Sequence, residues 1–223
     1  MLRSEDFESW LEHTNGVFWL YGIPGCGKTV LCSSVIEHVK ALCGEGTTDG
    51  YAYYYFDFNN ERKQKLEGLL FSILAQLSRQ TANLPEEVQR LHDESTRHQQ
   101  QPSLSNLIET IFLLIGRFRR VYIVIDALDE CTERENLLEF INQIVKQKAQ
   151  NAGILVASRW EQDFVTELEG ITTNSLCVQD ARTEDDIRLF VQNRLMRDPK
   201  LKKRPEYVKR EIEHLLVDGA AGM

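Results

Sequence analysis

The residues best suited to chemistry lie in one short run, Gly22-Ile23-Pro24-Gly25-Cys26-Gly27-Lys28-Thr29. The run fits the pattern G-x-x-x-x-G-K-[ST], and each fixed position has a mechanical reason. Gly22, Gly25 and Gly27 permit backbone angles that aim successive N–H groups at a single phosphate. A helix beginning there adds its unsatisfied N–H donors and the positive end of its dipole. Lys28 brings a mobile positive charge to the outer phosphates, and Thr29 brings a hydroxyl ligand for Mg²⁺. A tight turn between a strand and a helix would explain the glycines alone. The apolar run before the loop and the helical pattern after it favour phosphate binding. Cys26, inside the loop, reads in two ways: a thiol activated by helix-terminal N–H groups, or a small side chain that fits.

A second acidic signal stands at the end of Val121-Tyr122-Ile123-Val124-Ile125-Asp126. This is an apolar strand closed by a carboxylate, and in open α/β sheets ligands bind at the carboxyl ends of strands. Asp126 is therefore the candidate partner of Thr29 across Mg²⁺. Asp129 and Glu130 follow within one turn. One of them would orient or deprotonate an attacking water, with Asp129 placed slightly ahead. Small Ala127 leaves room for a downstream acid to swing in. The plainer reading of Asp129 and Glu130 is a loop that leads into a helix. A third signal is Arg159, at the end of Gly153-Ile154-Leu155-Val156-Ala157-Ser158. If that strand lies beside the one before the glycine loop, Arg159 overlooks the terminal phosphate. Otherwise it is an ordinary surface arginine.

The elements that must hold these groups follow from periodicity. Ser4 caps a short lead-in helix that ends at Asn15-Gly16. Val17–Tyr21 reads as a strand, and Thr29–Lys40 as a helix burying Val30, Leu31, Val35, Ile36 and Val39. The aromatic run Tyr51–Phe58 predicts a strand covered on both faces. Leu66 to Leu77, a segment starting near Pro85, and Leu104–Phe118 predict three helices, the second with proline in its first turn. Thr132 to Glu135 has capping-box spacing and opens a helix through Lys148. Ile154–Ala157 and Ser175–Val178 predict the fourth and fifth strands. A helix from Thr183, a basic loop Asp198–Pro205 and a last helix to about Val217 complete the chain. Strands that alternate with helices imply a parallel sheet with helices on both faces, an α/β fold. The expected division is a lead-in over residues 1–16, a core over 17–180 and the start of a small helical subdomain over 181–223.

The chain has 223 residues, 42% of them apolar, enough for one substantial core. Its net charge is −8, which disfavours a nucleic-acid backbone as main partner. The basic run Lys200–Arg204 lacks interleaved aromatics and reads as a solvated loop. No apolar run is long enough to span a membrane, and Met1–Asp6 lacks the apolar core of a signal peptide. Five scattered cysteines without C-x-x-C spacing suit a reducing, cytoplasmic setting. The five histidines form no zinc pattern. Arg117, Arg119 and Arg120 precede the Asp126 strand, on the wrong side of the sheet for the lid of a small-molecule kinase.

Taken together, the motifs resemble those of NACHT-type signal-transduction NTPases. They are most similar to the nephrocystin-like N-terminal NTPase modules of fungal NOD-like and ankyrin-repeat proteins. Phe18–Thr29 resembles the first motif, Asp126-Ala127-Leu128-Asp129-Glu130 the second, and Val156-Ala157-Ser158-Arg159 the sensor strand. Gly219–Met223 resembles the start of a late glycine-methionine segment. The resemblance implies a five-stranded P-loop core and a nucleotide-dependent switch that oligomerises when triphosphate is bound. It also implies ATP rather than GTP, which no base-reading motif decides. Such proteins carry effector, winged-helix and repeat regions that this sequence does not contain. The expectation is a slow NTPase module that contacts itself or partner proteins through such regions, as a fragment, a truncated product or a stand-alone unit. A non-hydrolysing interaction module holding nucleotide as a structural ligand is the alternative.

Overall fold

A computed structural model of the chain describes residues 5–12, 16–44, 47–145, 149, 151–178, 182–198 and 201–220. The expected cap at Ser4, the turn at Asn15, the end of a helix at Lys148, Lys200 of the basic run and the segment 221–223 lie outside the described residues.

Five strands form one sheet: β1 (Val17–Tyr21), β2 (Asp49–Tyr55), β3 (Arg120–Asp126), β4 (Ala152–Ser158) and β5 (Thr172–Cys177). Their order is β2-β3-β4-β1-β5 and every pairing is parallel. The helices are α1 (Glu5–Glu12), α2 (Lys28–Leu42), α3 (Leu66–Arg79), α4 (Glu86–His98), α5 (Leu104–Ile115), α6 (Arg134–Gln143), α7 (Gln162–Glu169), α8 (Arg182–Arg197) and α9 (Glu206–Ala220).

Side chains alternate across a strand, so each strand feeds two apolar layers. Phe18, Leu20, Tyr122, Val124, Leu155 and Ala157 pack with α1 and α2 through Phe7, Trp10, Cys32, Val35, Ile36 and Val39. Val17, Trp19, Ile123, Ile125, Ile154 and Val156 face the opposite layer, built from α3, α5, α6 and α7. α8 and α9 pack together, with Val191, Leu195 and Val217 buried.

Four expectations are corrected. The aromatic run ends sooner than expected and lies at the sheet edge: β2 stops at Tyr55, with Ala52 and Tyr54 buried in one layer and Tyr51, Tyr53 and Tyr55 half-buried against the other. Tyrosine tolerates this because its ring packs while its hydroxyl stays wet. The outward backbone of β2 is paired instead by two glutamines of α3. Gln80 accepts from Tyr51 N–H at 3.0 Å and donates to Tyr51 C=O at 2.7 Å. Gln76 does the same for Tyr53 at 3.1 and 2.7 Å. Residues one turn apart on a helix match the spacing of alternate residues on a strand, so the two side chains act as a substitute strand.

The second correction is the capping box. No side chain caps α6. Thr132 donates its hydroxyl to Gln64 C=O at 3.1 Å, just before α3, and Glu133 accepts the Leu66 N–H at 2.8 Å and so caps α3 instead. The third concerns α2: Val30 is exposed, and Cys32 takes its place in the buried face. Pro85 occupies the N-cap position of α4 rather than its first turn.

Candidate functional site

β1 and β4 are neighbours, with Tyr21 aligned to Ser158. The helix after β1 packs on one face of the sheet, and the helix after β4 packs on the other. Connections that leave two adjacent strands toward opposite faces open a crevice at the strand ends. The loop Gly22–Gly27 and Arg159 meet there.

The glycine loop has the conformation its residues suggest. Gly25 and Gly27 have φ of 82° and 92°, in the left-handed region where a side chain is strained. Gly27 is the N-cap of α2, and its C=O accepts the Leu31 N–H at 3.0 Å. No side chain caps this end, so its N–H donors remain aimed at the crevice. Lys28 bridges the loop from below, donating to Gly22 C=O at 2.8 Å and Ile23 C=O at 2.9 Å, with Cys26 Sγ at 3.7 Å. Gly22 is buried, whereas Ile23, Pro24, Gly25 and Thr29 are exposed. A loop of this form places a cation, a row of N–H groups and a hydroxyl around one anion.

Asp126 is 3% exposed and, by strand alternation after Tyr122 and Val124, points to the face of α2. Cys32, one turn beyond Lys28, lies close enough to this carboxylate to feel its charge. Burial pushes the Cys32 thiol far above the usual range; the Asp126 charge adds to the rise, and Lys28 opposes it. Lys28, Cys32 and Asp126 thus form one electrostatic group. Asp126 and Thr29 are both oxygen donors, which suits a hard cation. Among the described residues no cluster of three His, Cys, Asp or Glu could hold a metal. Two protein oxygens fit an ion that completes its shell with water and phosphate oxygens, as Mg²⁺ does.

The chain turns sharply at Ala127, whose φ of 56° is left-handed for a residue with a Cβ. A short 3₁₀ turn, Leu128–Glu130, follows. It separates the two acids. Asp129 points to β4, where its Oδ1 accepts the Arg159 N–H at 2.9 Å and its Oδ2 pairs with Arg159 Nε at 3.2 Å. Glu130 points the other way and accepts the Phe58 N–H at 2.8 Å. Burial raises the Glu130 carboxyl above its usual range against that hydrogen bond, Asp129 adds to the rise, and Arg159 opposes it.

Several supporting residues carry no local sequence signal: Cys32 under Asp126, Phe58 opposite Glu130, and Arg134. Arg134 donates to Asp129 C=O and to Glu161 Oε2, both at 2.8 Å. Trp160 stacks on Trp19 at 5.5 Å and contacts Tyr21, beside the loop.

The sequence is 26% identical over 204 residues to vegetative incompatibility protein HET-E-1 of Podospora anserina. The alignment covers 87% of this chain and 15% of that protein, so the chain spans a small part of its curated relative. The fold is similar to that of the Walker-type ATPase PABY2304 of Pyrococcus abyssi, with a TM-score of 0.58 and 16% identity over 97% of this chain and 64% of that one. It is also similar to the Aeropyrum pernix ORC1 protein, with a TM-score of 0.54 and 16% identity over 87% of this chain and 53% of that one. These likenesses show the fold, the α/β fold of P-loop NTPases. Residues 1–159 match the family described as nephrocystin 3, N-terminal; the chain belongs to that family.

Proposed function

We propose that the chain binds a nucleoside triphosphate with Mg²⁺ at Gly22–Thr29 and acts as a nucleotide-dependent signalling switch with slow hydrolysis. The observation that carries this reading is convergence. What supports it is that the left-handed glycine loop with Lys28 follows β1, the buried Asp126 closes β3, and Arg159 follows β4, so all lie at the carboxyl ends of neighbouring strands. Thr29 and Asp126 hold the metal, and Lys28 and the loop N–H groups hold the phosphates. Arg159 meets the terminal phosphate, and an acid from the Asp129–Glu130 pair orients the water. In the reaction, water attacks the terminal phosphorus, the bond to the bridging oxygen breaks, and diphosphate and phosphate leave. ATP is the expected nucleotide, from the family resemblance. Self-association or partner binding belongs to regions such as those of the longer relative, with residues 181–223 as the start of a helical subdomain.

One observation favours the non-hydrolysing alternative: both carboxylate oxygens of Asp129 are engaged by Arg159. Phosphate release from ATP and from GTP separates the two readings. Hydrolysis predicts slow, Mg²⁺-dependent release that disappears in Lys28→Ala and in Asp126→Asn. Equal release by wild type and both variants would contradict it.

A further inference from the structure

We infer that Asp129 is a positioning residue for Arg159: it latches the arginine at the end of β4 so that the guanidinium meets the terminal phosphate of a bound triphosphate. The inference rests on the proposed nucleotide site and divides the acidic pair that the motif leaves equivalent.

The main chain of Arg159 is held on both sides. Its N–H donates to Asp129 Oδ1 at 2.9 Å, and its C=O accepts from the Ser158 hydroxyl at 2.9 Å. Ser158 is in turn fixed by the Trp19 indole, which donates to the same hydroxyl oxygen at 2.9 Å. The next residue, Trp160, is stacked on Trp19. The backbone beneath Arg159 is therefore rigid, and the side chain is held by a single grip, Asp129 Oδ2 to Nε at 3.2 Å.

The grip is asymmetric. The Asp129 side chain is 6% exposed and that of Arg159 is 49% exposed. The carboxylate is buried and spends both oxygens on the arginine. The guanidinium is paired on its Nε side, and half of the arginine side chain remains exposed. A guanidinium fork held at one end is oriented for two parallel hydrogen bonds to a phosphate at the other. The latch is anchored independently, because Arg134 donates to Asp129 C=O at 2.8 Å. Glu130, turned toward Phe58, faces the arginine only through its charge.

A latched arginine reads the terminal phosphate and is indifferent to a diphosphate. The readout is thus the ratio of triphosphate to diphosphate affinity, and diphosphate binding serves as an internal control for folding. The experiment is calorimetric titration of the full chain with Mg²⁺ and the imido analogues of ATP and GTP, and with ADP and GDP. Wild type, Asp129→Asn, Arg159→Ala and the double variant are compared. Asparagine keeps an oxygen for the Arg159 N–H and loses the charge that grips Nε, so the backbone bond survives. Arg159→Ala should lower the ratio roughly tenfold, as expected for a lost hydrogen bond to a charged group. Asp129→Asn should lower it by a similar factor, and the double variant by no more than Arg159→Ala alone.

An unchanged ratio in Asp129→Asn, or factors that multiply in the double variant, would overturn the latch while leaving the nucleotide site intact. Loss of diphosphate binding in Asp129→Asn would also overturn it, by making Asp129 a support of the whole site. Should that variant fail to fold, Arg159→Ala alone decides, since an unchanged ratio there leaves the latch nothing to position. Wild type that binds no nucleotide removes the site and the latch together.

Discussion

The two ends of the sheet are built on opposite plans. Where the strands begin, charged and amide side chains serve as struts. Arg119 grips Asp49 with two bonds of 2.9 and 2.7 Å. Arg120 donates to the C-terminal carbonyls of α1, at Leu11 and at Glu12. Asn151 donates to Ile115 and Phe118 carbonyls at 3.1 and 2.8 Å. Where the strands end, the chain instead carries left-handed residues at Gly25, Gly27 and Ala127, an uncapped helix start, a buried carboxylate and a half-exposed arginine. Strained backbone and buried charge cost stability and persist where the fold over-determines them, which is the pattern of a working site. The contrast points to the strand-end side as the candidate site without reference to any motif.

This contrast can be broken or sharpened by mutation. The largest effect is expected at Gly27. Valine there is strained by the positive φ although no neighbour blocks its Cβ, so the cost is local. A β-branched residue in the left-handed region should cost on the order of 2 kcal/mol, read by denaturant unfolding, together with loss of triphosphate binding. Ala127→Gly tests the same strain in reverse. Relief of the left-handed alanine should offset glycine's entropy, giving a change within roughly 1 kcal/mol of zero. A large destabilisation would show that Ala127 is not strained.

Removing the substitute strand tests an edge instead of an end. Gln76→Ala with Gln80→Ala leaves the Tyr51 and Tyr53 backbone unpaired, at about 1 kcal/mol for each lost bond pair. It also bares a template for strand pairing, so sedimentation should reveal more self-association than in wild type. A monomeric double variant of unchanged stability would contradict the role given to the glutamines.

The smallest effects are in pH dependence, and their signs differ between the ends. Arg119 bonded to Asp49 lowers that carboxyl below its usual range. Its stabilisation is present above the unfolded carboxylate pKa, about 3.9, and is lost as pH falls through the lowered folded value. Asp49→Asn should flatten that acid limb. Burial of Glu130 raises its pKa, so its contribution is present below the unfolded value, about 4.3, and is lost as pH rises through the folded one. Glu130→Gln should remove that fall. The same slope for both carboxyls in unfolding curves from pH 3 to 7, a window bracketing both ordinary values, would erase the contrast.

Much of the fold was legible because the signals were local. The apolar run Val17–Tyr21, the glycines after it and the helix beyond are neighbours in sequence, and β3 with Asp126 is read the same way. What could not be read depends on residues far apart. The edge position of β2 is set by the strand order, not by its aromatic composition. Thr132 and Glu133 have the right chemistry for a cap, but a segment some 67 residues away claims them. The glycine loop could be named residue by residue, whereas the diverging directions of Asp129 and Glu130 follow from the turn at Ala127 and the approach of β4. Cys32 matches no motif and is found only by its burial in α2 beside the charge of Asp126.

The central claim is that the loop at Gly22–Thr29 binds a triphosphate with Mg²⁺. Its most direct test is titration of wild type and Lys28→Ala with fluorescent ATP and GTP analogues, with and without Mg²⁺. The account predicts saturable, Mg²⁺-dependent binding that falls at least about a hundredfold in the variant, since the ammonium makes charge-assisted contacts to two phosphates. The melting temperature should change little, because Lys28 bonds only to carbonyls of its own loop and to Cys26. Binding that is equal in both proteins, or absent from folded wild type, would contradict it.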